Sequence, residues 1–154
     1  MLVHGKGDVL KNVSDNELEG VKITFINMPL REAATPNCPP EGPLILSAIV
    51  REYGGEPSVL DLNGYRIKDK LAEERGVPQG RHLTLKETED LIIKHLENVG
   101  NQHIFAFSGK ITTLKWQEDT AKLVKKLQPD CFLVSGNGLA TEIKRGLFTW
   151  IPEL

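Results

Sequence analysis

Apolar residues along the chain fall into short runs broken by proline, glycine and asparagine, and the runs switch between strand-like and helix-like spacing. The first run, Val21-Lys22-Ile23-Thr24-Phe25-Ile26-Asn27-Met28, is rich in β-branched and aromatic residues and stops at Pro29. It predicts a buried first strand. Pro29 to Gly42 carries Pro29, Pro36, Pro39 and Pro40 with Asn37 and Gly42, which predicts a long irregular loop because proline fixes φ and removes a donor. Pro43 suits a first helical turn, and Leu44, Leu46, Ala48, Ile49 and Val50 carry a helix to the stop at Gly54-Gly55. Val59, Leu60 and Leu62 mark a second strand over 57–62, which Asn63-Gly64 turns out.

The second half repeats the alternation. A short helix is expected from Ile67 to Glu74 and a break from Gly76 to Arg81; Thr84 then caps a helix striped by Leu85, Leu91, Ile92, Ile93 and Leu96. A third strand over 103–107, a loop from Ser108 to Thr113 and a helix from Leu114 to Leu127 follow. Pro129-Asp130 turns the chain into a fourth strand over 131–135, which ends at Gly136-Asn137-Gly138. Thr141 to Phe148 reads as helix, and a fifth strand is expected next, so the chain reads as cut or minimal.

Strands apolar on both faces, alternating with helices, call for a parallel sheet sandwiched between helical layers. The expected fold is α/β, a three-layer doubly wound parallel sheet of Rossmann-like or flavodoxin-like type, with strand order about 2-1-3-4(-5). One domain is expected over 21–154, after a polar lead-in over 1–20. Its core should hold Ile23, Phe25, Leu46, Ile49, Val59, Leu91, Phe105, Leu123, Leu133 and Val134.

Composition narrows the function classes. With 154 residues and 40% hydrophobic content, one domain can bury a core without metal or disulfide support. Nineteen basic against 21 acidic residues give a formal charge of −2, which offers no electrostatic footprint for nucleic acid. No stretch reaches the roughly 20 apolar residues that span a bilayer, so no membrane contact is expected and the cytoplasm is the expected compartment. Cys38 and Cys131 are the two cysteines, too few for an iron–sulfur cluster in this chain. His4, His82, His95 and His103 lack zinc-site spacing and read as surface or packing residues.

In open parallel sheets ligands lie beyond the carboxyl ends of the strands, where the strand order reverses. The loops there are 28–42, 108–113 and 136–141, largely small or neutral, with charge only at Arg31, Glu32, Glu41 and Lys110. They suit a large, mostly uncharged ligand. A phosphate cradle needs a glycine-rich first turn, and neither G-x-G-x-x-G nor G-x-x-x-x-G-K-[ST] occurs. No nucleophile–base pair is evident: Ser108 lacks an elbow motif and Cys38 has no histidine near it in sequence.

Three segments resemble the N-terminal cobalamin-binding domain of cobalamin-dependent radical SAM enzymes. The first is Ile23-Thr24-Phe25-Ile26-Asn27-Met28-Pro29 with Glu41-Gly42-Pro43-Leu44-Ile45-Leu46-Ser47-Ala48, similar to the family's "P-P-x-G-x-x-x-L-A" helix start. The second, Tyr53-Gly54-Gly55-Glu56-Pro57-Ser58-Val59-Leu60-Asp61, is similar to "G-x-x-V-x-x-x-D". The third joins Phe107-Ser108-Gly109-Lys110-Ile111-Thr112-Thr113, Gln128-Pro129-Asp130 and Val134-Ser135-Gly136-Asn137-Gly138-Leu139-Ala140-Thr141, similar to "S-x-x-x-x-T … P-D … G-G-x-x-A-T". Asn137 replaces the second glycine of that pattern, and no histidine between His4 and His82 matches the "D-x-H-x-x-G" element of other cobalamin domains.

The resemblance implies a cobalamin-binding module that holds the corrin at the carboxyl edge of the sheet. It implies Met28, Pro29, Leu30, Ser108, Gly109, Thr112, Gly136, Asn137, Gly138 and Thr141 as cofactor-binding residues, with no histidine ligand to cobalt, no other metal site and no catalytic residue. A radical SAM domain or subunit, as in methyltransferases and cyclases of that family, is the implied partner. The competing expectation is a small α/β nucleotide-binding or protein-interaction domain that takes no cobalamin.

Overall fold

The computed structural model describes residues 14, 16–29, 40–64, 74 and 83–154. Residues 30–39 of the loop expected over 29–42, Cys38 among them, residues 67–73 of the helix expected over 67–74 and the break at 76–81 lie outside them, whereas Glu41 and Gly42, expected in that loop, already belong to the first helix. The described elements alternate as expected: β1 (Lys22–Asn27), α1 (Glu41–Glu52), β2 (Glu56–Asp61), α2 (Leu85–Val99), β3 (Ile104–Ser108), α3 (Leu114–Leu127), β4 (Phe132–Gly136), α4 (Asn137–Ile143) and α5 (Leu147–Trp150). Single 3-10 turns at Leu62–Gly64, Ile111–Thr113 and Lys144–Gly146 complete the path. The expected helix over 141–148 is thus two short helices joined by a 3-10 turn that contains Gly146.

All strand pairings are parallel, in the order β2-β1-β3-β4. This is the three-layer Rossmann-like or flavodoxin-like α/β arrangement expected from the alternation of elements. The register sets Asp61, Asn27, Ser108 and Gly136 side by side across the carboxyl edge. β1 and β3 therefore flank the point where the strand order reverses.

One face of the sheet carries the main core. Ile26, Leu60, Phe105, Phe107 and Leu133 pack there with Ile92 of α2, Ala121 and Val124 of α3, and Leu139, Leu147 and Ile151 from the end of the chain. On the other face Ile23 and Phe25 are buried outside that cluster. α2 starts as predicted. Thr84 accepts the Glu87 N–H on its side chain, and the Glu87 carboxylate accepts the Thr84 N–H in return, a pairing that satisfies two otherwise orphaned donors.

Phe105 and Leu133 are buried as expected, and Leu91 and Leu123 pack at the margin of the core. Leu46 and Val134 are not core residues: they are 47% and 50% exposed. α1 buries Pro43 and Ser47 instead, which turns Leu44, Ile45 and Leu46 outward. Val134 lies on β4, at the end of the described strand order, and lines a groove with Leu147 and Phe148 that leaves it half exposed. An apolar letter marks a side chain that benefits from cover, but only the neighbours decide whether cover exists.

Candidate functional site

The carboxyl edge collects most of the expected site residues. Ser108 ends β3, Gly136 ends β4 beside it, and the Asn137 Nδ2 donates to Ser108 Oγ at 3.4 Å. Asn137 adopts a φ of 71°, the left-handed region where glycine is the usual residue and asparagine the commonest substitute. The position that carries glycine in the resembling family is therefore glycine-like in backbone conformation here. The Asn137 side-chain oxygen accepts the Gly138 N–H at 2.7 Å, and Thr141 Oγ1 donates to the Asn137 carbonyl at 3.1 Å.

Space distinguishes the glycines. A Cβ on Gly138 would meet nothing within 4 Å, and one on Gly136 would touch only the Phe107 carbonyl oxygen, at 4.0 Å. Beside this turn lies a groove of about 420 Å³ lined by Lys110, Ile111, Gly138, Leu139, Glu142 and Ile143. Its floor is apolar and its rim carries one charge of each sign. Gly109 is the opposite case: a Cβ there would collide with the side chains of Gln117 and Thr113. Gly109 serves packing beneath the loop, and its backbone carbonyl accepts the Leu139 N–H at 3.4 Å.

Two expected residues are set apart from the groove. Met28 is buried, with Thr120 Oγ1 3.8 Å from its sulfur, so its side chain belongs to the core. Pro29 is buried as well. Thr112 is exposed in the 3-10 turn after β3. Leu30 lies outside the described residues.

The residues that brace this edge carry no signature in the sequence. Gln117 is fully buried; its Oε1 accepts from Ser135 Oγ at 2.9 Å and its Nε2 donates to Thr113 Oγ1 at 3.3 Å. It ties the turn after β3 and the end of β4 to α3. Across the sheet, Asn27 Nδ2 donates to Asp61 Oδ1 at 2.8 Å, and that oxygen also accepts the Asn63 N–H at 3.1 Å.

A second polar cluster lies toward the amino end of the sheet. Ser58 Oγ is 3.1 Å from His95 Nε2 and 2.8 Å from Thr24 Oγ1, and Thr24 Oγ1 is 3.1 Å from Gln102 Oε1. A groove of about 380 Å³ adjoins it, with Lys22, Arg51, Ser58 and Gln102 in its lining. Serine against histidine beside a groove has the outline of a nucleophile and its base.

Proton counting decides otherwise. Gln102 Nε2 donates to the Val99 and Gly100 carbonyls at 3.2 and 2.9 Å, which fixes Oε1 toward Thr24. Gln102 Oε1 only accepts, so the Thr24 hydroxyl proton goes to it. The 2.8 Å contact between Thr24 and Ser58 then needs the Ser58 proton. His95 must supply its own Nε2–H toward Ser58, and burial holds its pKa below the ordinary value. Ser58 thus donates away from His95, and the cluster is a closed brace between α2 and the sheet.

Among the described residues no group of three or more His, Cys, Asp and Glu side chains is placed to hold a metal, and no helix is long and apolar enough to cross a membrane. His95 and His103 stand toward the amino end, where His103 Nδ1 accepts the Lys22 N–H at 2.9 Å. No protein-family model, no curated protein and no solved structure matches this chain.

Proposed function

We propose that this chain is a cobalamin-binding module that holds the corrin over the carboxyl edge of its sheet, within the cytoplasm. One observation carries the reading. The Gly136-Asn137-Gly138 turn stands at the strand ends beside the order reversal, with open space over Gly138 and an apolar groove next to it. A corrin is a large, largely uncharged ring with apolar margins and amide arms. It needs close backbone approach, apolar contact and a few hydroxyl or amide partners.

The residues present meet those needs. Ser108 Oγ and the Asn137 amide offer a donor and an acceptor at the strand ends, Thr141 adds a hydroxyl, and Ile111, Leu139 and Ile143 supply apolar contact. Bound there, cobalamin supplies a cobalt centre for methyl transfer or redox chemistry. The catalytic and iron–sulfur machinery belongs to a radical SAM domain or subunit that partners this module, because the sequence holds two cysteines in all.

Mixing the purified protein with hydroxocobalamin and desalting tests the reading. A pink protein with a corrin absorption band at near one equivalent is the expected result. A colourless protein would overturn it, in favour of an α/β interaction or nucleotide-binding domain without cobalamin.

A further inference from the structure

Two Asn-Gly pairs occur in the chain, Asn63-Gly64 and Asn137-Gly138, each just beyond the end of a strand. In such a pair the backbone nitrogen that follows asparagine has no side chain beside it, so it can reach the carbon of the asparagine amide. The fold treats the two pairs in opposite ways. Asn63 is buried in the 3-10 turn after β2, and its N–H donates to Asp61 Oδ1 at 3.1 Å. The Asp61 carboxylate also stands against Gly64, with Oδ2 3.1 Å from where a Cβ would lie. A carboxylate fixed there repels the negative charge that attack by the Gly64 nitrogen would place on that nitrogen and on the amide oxygen.

Asn137 and Gly138 are both exposed, so water has access to them. The Gly138 nitrogen lies 2.7 Å from Asn137 Oδ1, which makes the nucleophile and the side-chain carbonyl neighbours before any motion. Turning the carbonyl out of that hydrogen bond carries its carbon onto the nitrogen. Ser108 Oγ stands 3.4 Å from Nδ2, a hydroxyl beside the nitrogen that must leave. Asn137 is held at a φ of 71°, and α4, which it begins, is 7 residues long. A short helix that starts from an unfavourable conformation opens its first turn readily.

We propose that Asn137 is a self-modifying site, where the side-chain amide converts to an acid through a cyclic imide with Gly138, while Asn63 is protected by the fold. The Gly138 nitrogen gives up its proton and bonds to Asn137 Cγ. The bond from Cγ to Nδ2 breaks, and Nδ2 leaves as ammonia with the proton that the backbone nitrogen lost. Water then opens the ring at either carbonyl, which yields aspartate or isoaspartate; water is the only co-reactant, and nothing is oxidised or reduced. The product replaces the amide donor to Ser108 with a negative charge, and the isoaspartate form lengthens the backbone at the start of α4. The inference is independent of cobalamin.

The test is incubation of the purified full chain at mildly alkaline pH, followed by digestion and peptide mass spectrometry that separates aspartate from isoaspartate. In the folded protein Asn137 should convert about tenfold or more faster than Asn63, with isoaspartate among the products. In denaturant the two positions should convert at similar rates, because the fold and not the dipeptide protects Asn63. Gly138→Ala places a methyl group beside the attacking nitrogen and should slow conversion at position 137 about tenfold. Gly138 has no positive φ, and no described atom lies within 4 Å of a Cβ there, so circular dichroism of this variant should match wild type. Equal rates at the two positions in the folded protein, or no conversion at Asn137, would overturn the proposal. So would a preference for Asn137 that persists in denaturant, or an unchanged rate in Gly138→Ala.

Discussion

The two ends of the sheet use the same kinds of side chain for opposite purposes. Toward the amino end, Thr24 and Ser58 spend their hydroxyl protons and His95 its Nε2 proton within the cluster, and Gln102 accepts from Thr24 while donating its amide protons to backbone carbonyls. At the carboxyl end, Ser108 and Asn137 share one long contact of 3.4 Å, and the space over Gly138 is open. The hydroxyl and amide protons of the closed end are thus already committed within the protein. Polar residue type alone therefore says little about a site; what counts is whether the donors and acceptors are already used.

The largest expected effect removes the support common to both ends. Phe105 is fully buried at the centre of the sheet, and Phe105→Ala should cost about 3–5 kcal/mol in denaturant unfolding. A loss under about 1 kcal/mol would show that the core is elsewhere. Next is the hub of the closed end. Thr24→Val removes the donor to Gln102 and the acceptor for Ser58 in a fully buried position, so it should cost about 1–3 kcal/mol. Cobalamin affinity should stay at the wild-type value, and a loss of affinity with unchanged stability would place the ligand at the amino end.

Protonation sharpens the same contrast. Burial lowers the pKa of His95 from its ordinary value of 6.5, so the native state binds fewer protons there than the unfolded chain. The stability that depends on neutral His95 is fully present above the unfolded value. It falls as pH drops below it and levels off beneath the native value. His95→Gln should flatten that part of the pH–stability curve, whereas an unchanged slope would assign it to other groups. The proton order is itself testable, since nitrogen chemical shifts at neutral pH should show the proton of His95 on Nε2.

The smallest effect is at the open end. Asn137→Gly relieves the left-handed φ of 71° while losing the contact with Ser108, and stability should change by less than about 1 kcal/mol. Asn137→Val at the same position should destabilise clearly, because a β-branched residue adopts that conformation poorly.

Much of the fold was legible because its signals are local. Pro29, Asn63-Gly64 and Pro129-Asp130 bound runs of strand or helix, and Thr84 announces a cap that the structure contains. The Gly136-Asn137-Gly138 turn was legible for the same reason. Leu46 and Val134 were misassigned to the core because the face a helix turns inward, and how far each face of an outer strand is covered, are tertiary facts. The closed cluster was invisible: Ser58 and His95 are 37 positions apart, Thr24 and Gln102 are 78, and no motif joins them. Gln117 likewise reads as one more polar helix residue until its partners Ser135 and Thr113 are seen.

The central claim is that the open end is the ligand site, and a cobalamin titration of wild type, Gly138→Val and Ser108→Ala tests it most directly. Gly138 has no positive φ and nothing within 4 Å of a Cβ, so valine there should change stability by less than about 1 kcal/mol. Binding should weaken in both variants, most severely in Gly138→Val, with the thermal midpoint of Ser108→Ala near wild type. Affinity unchanged in both variants would contradict the account.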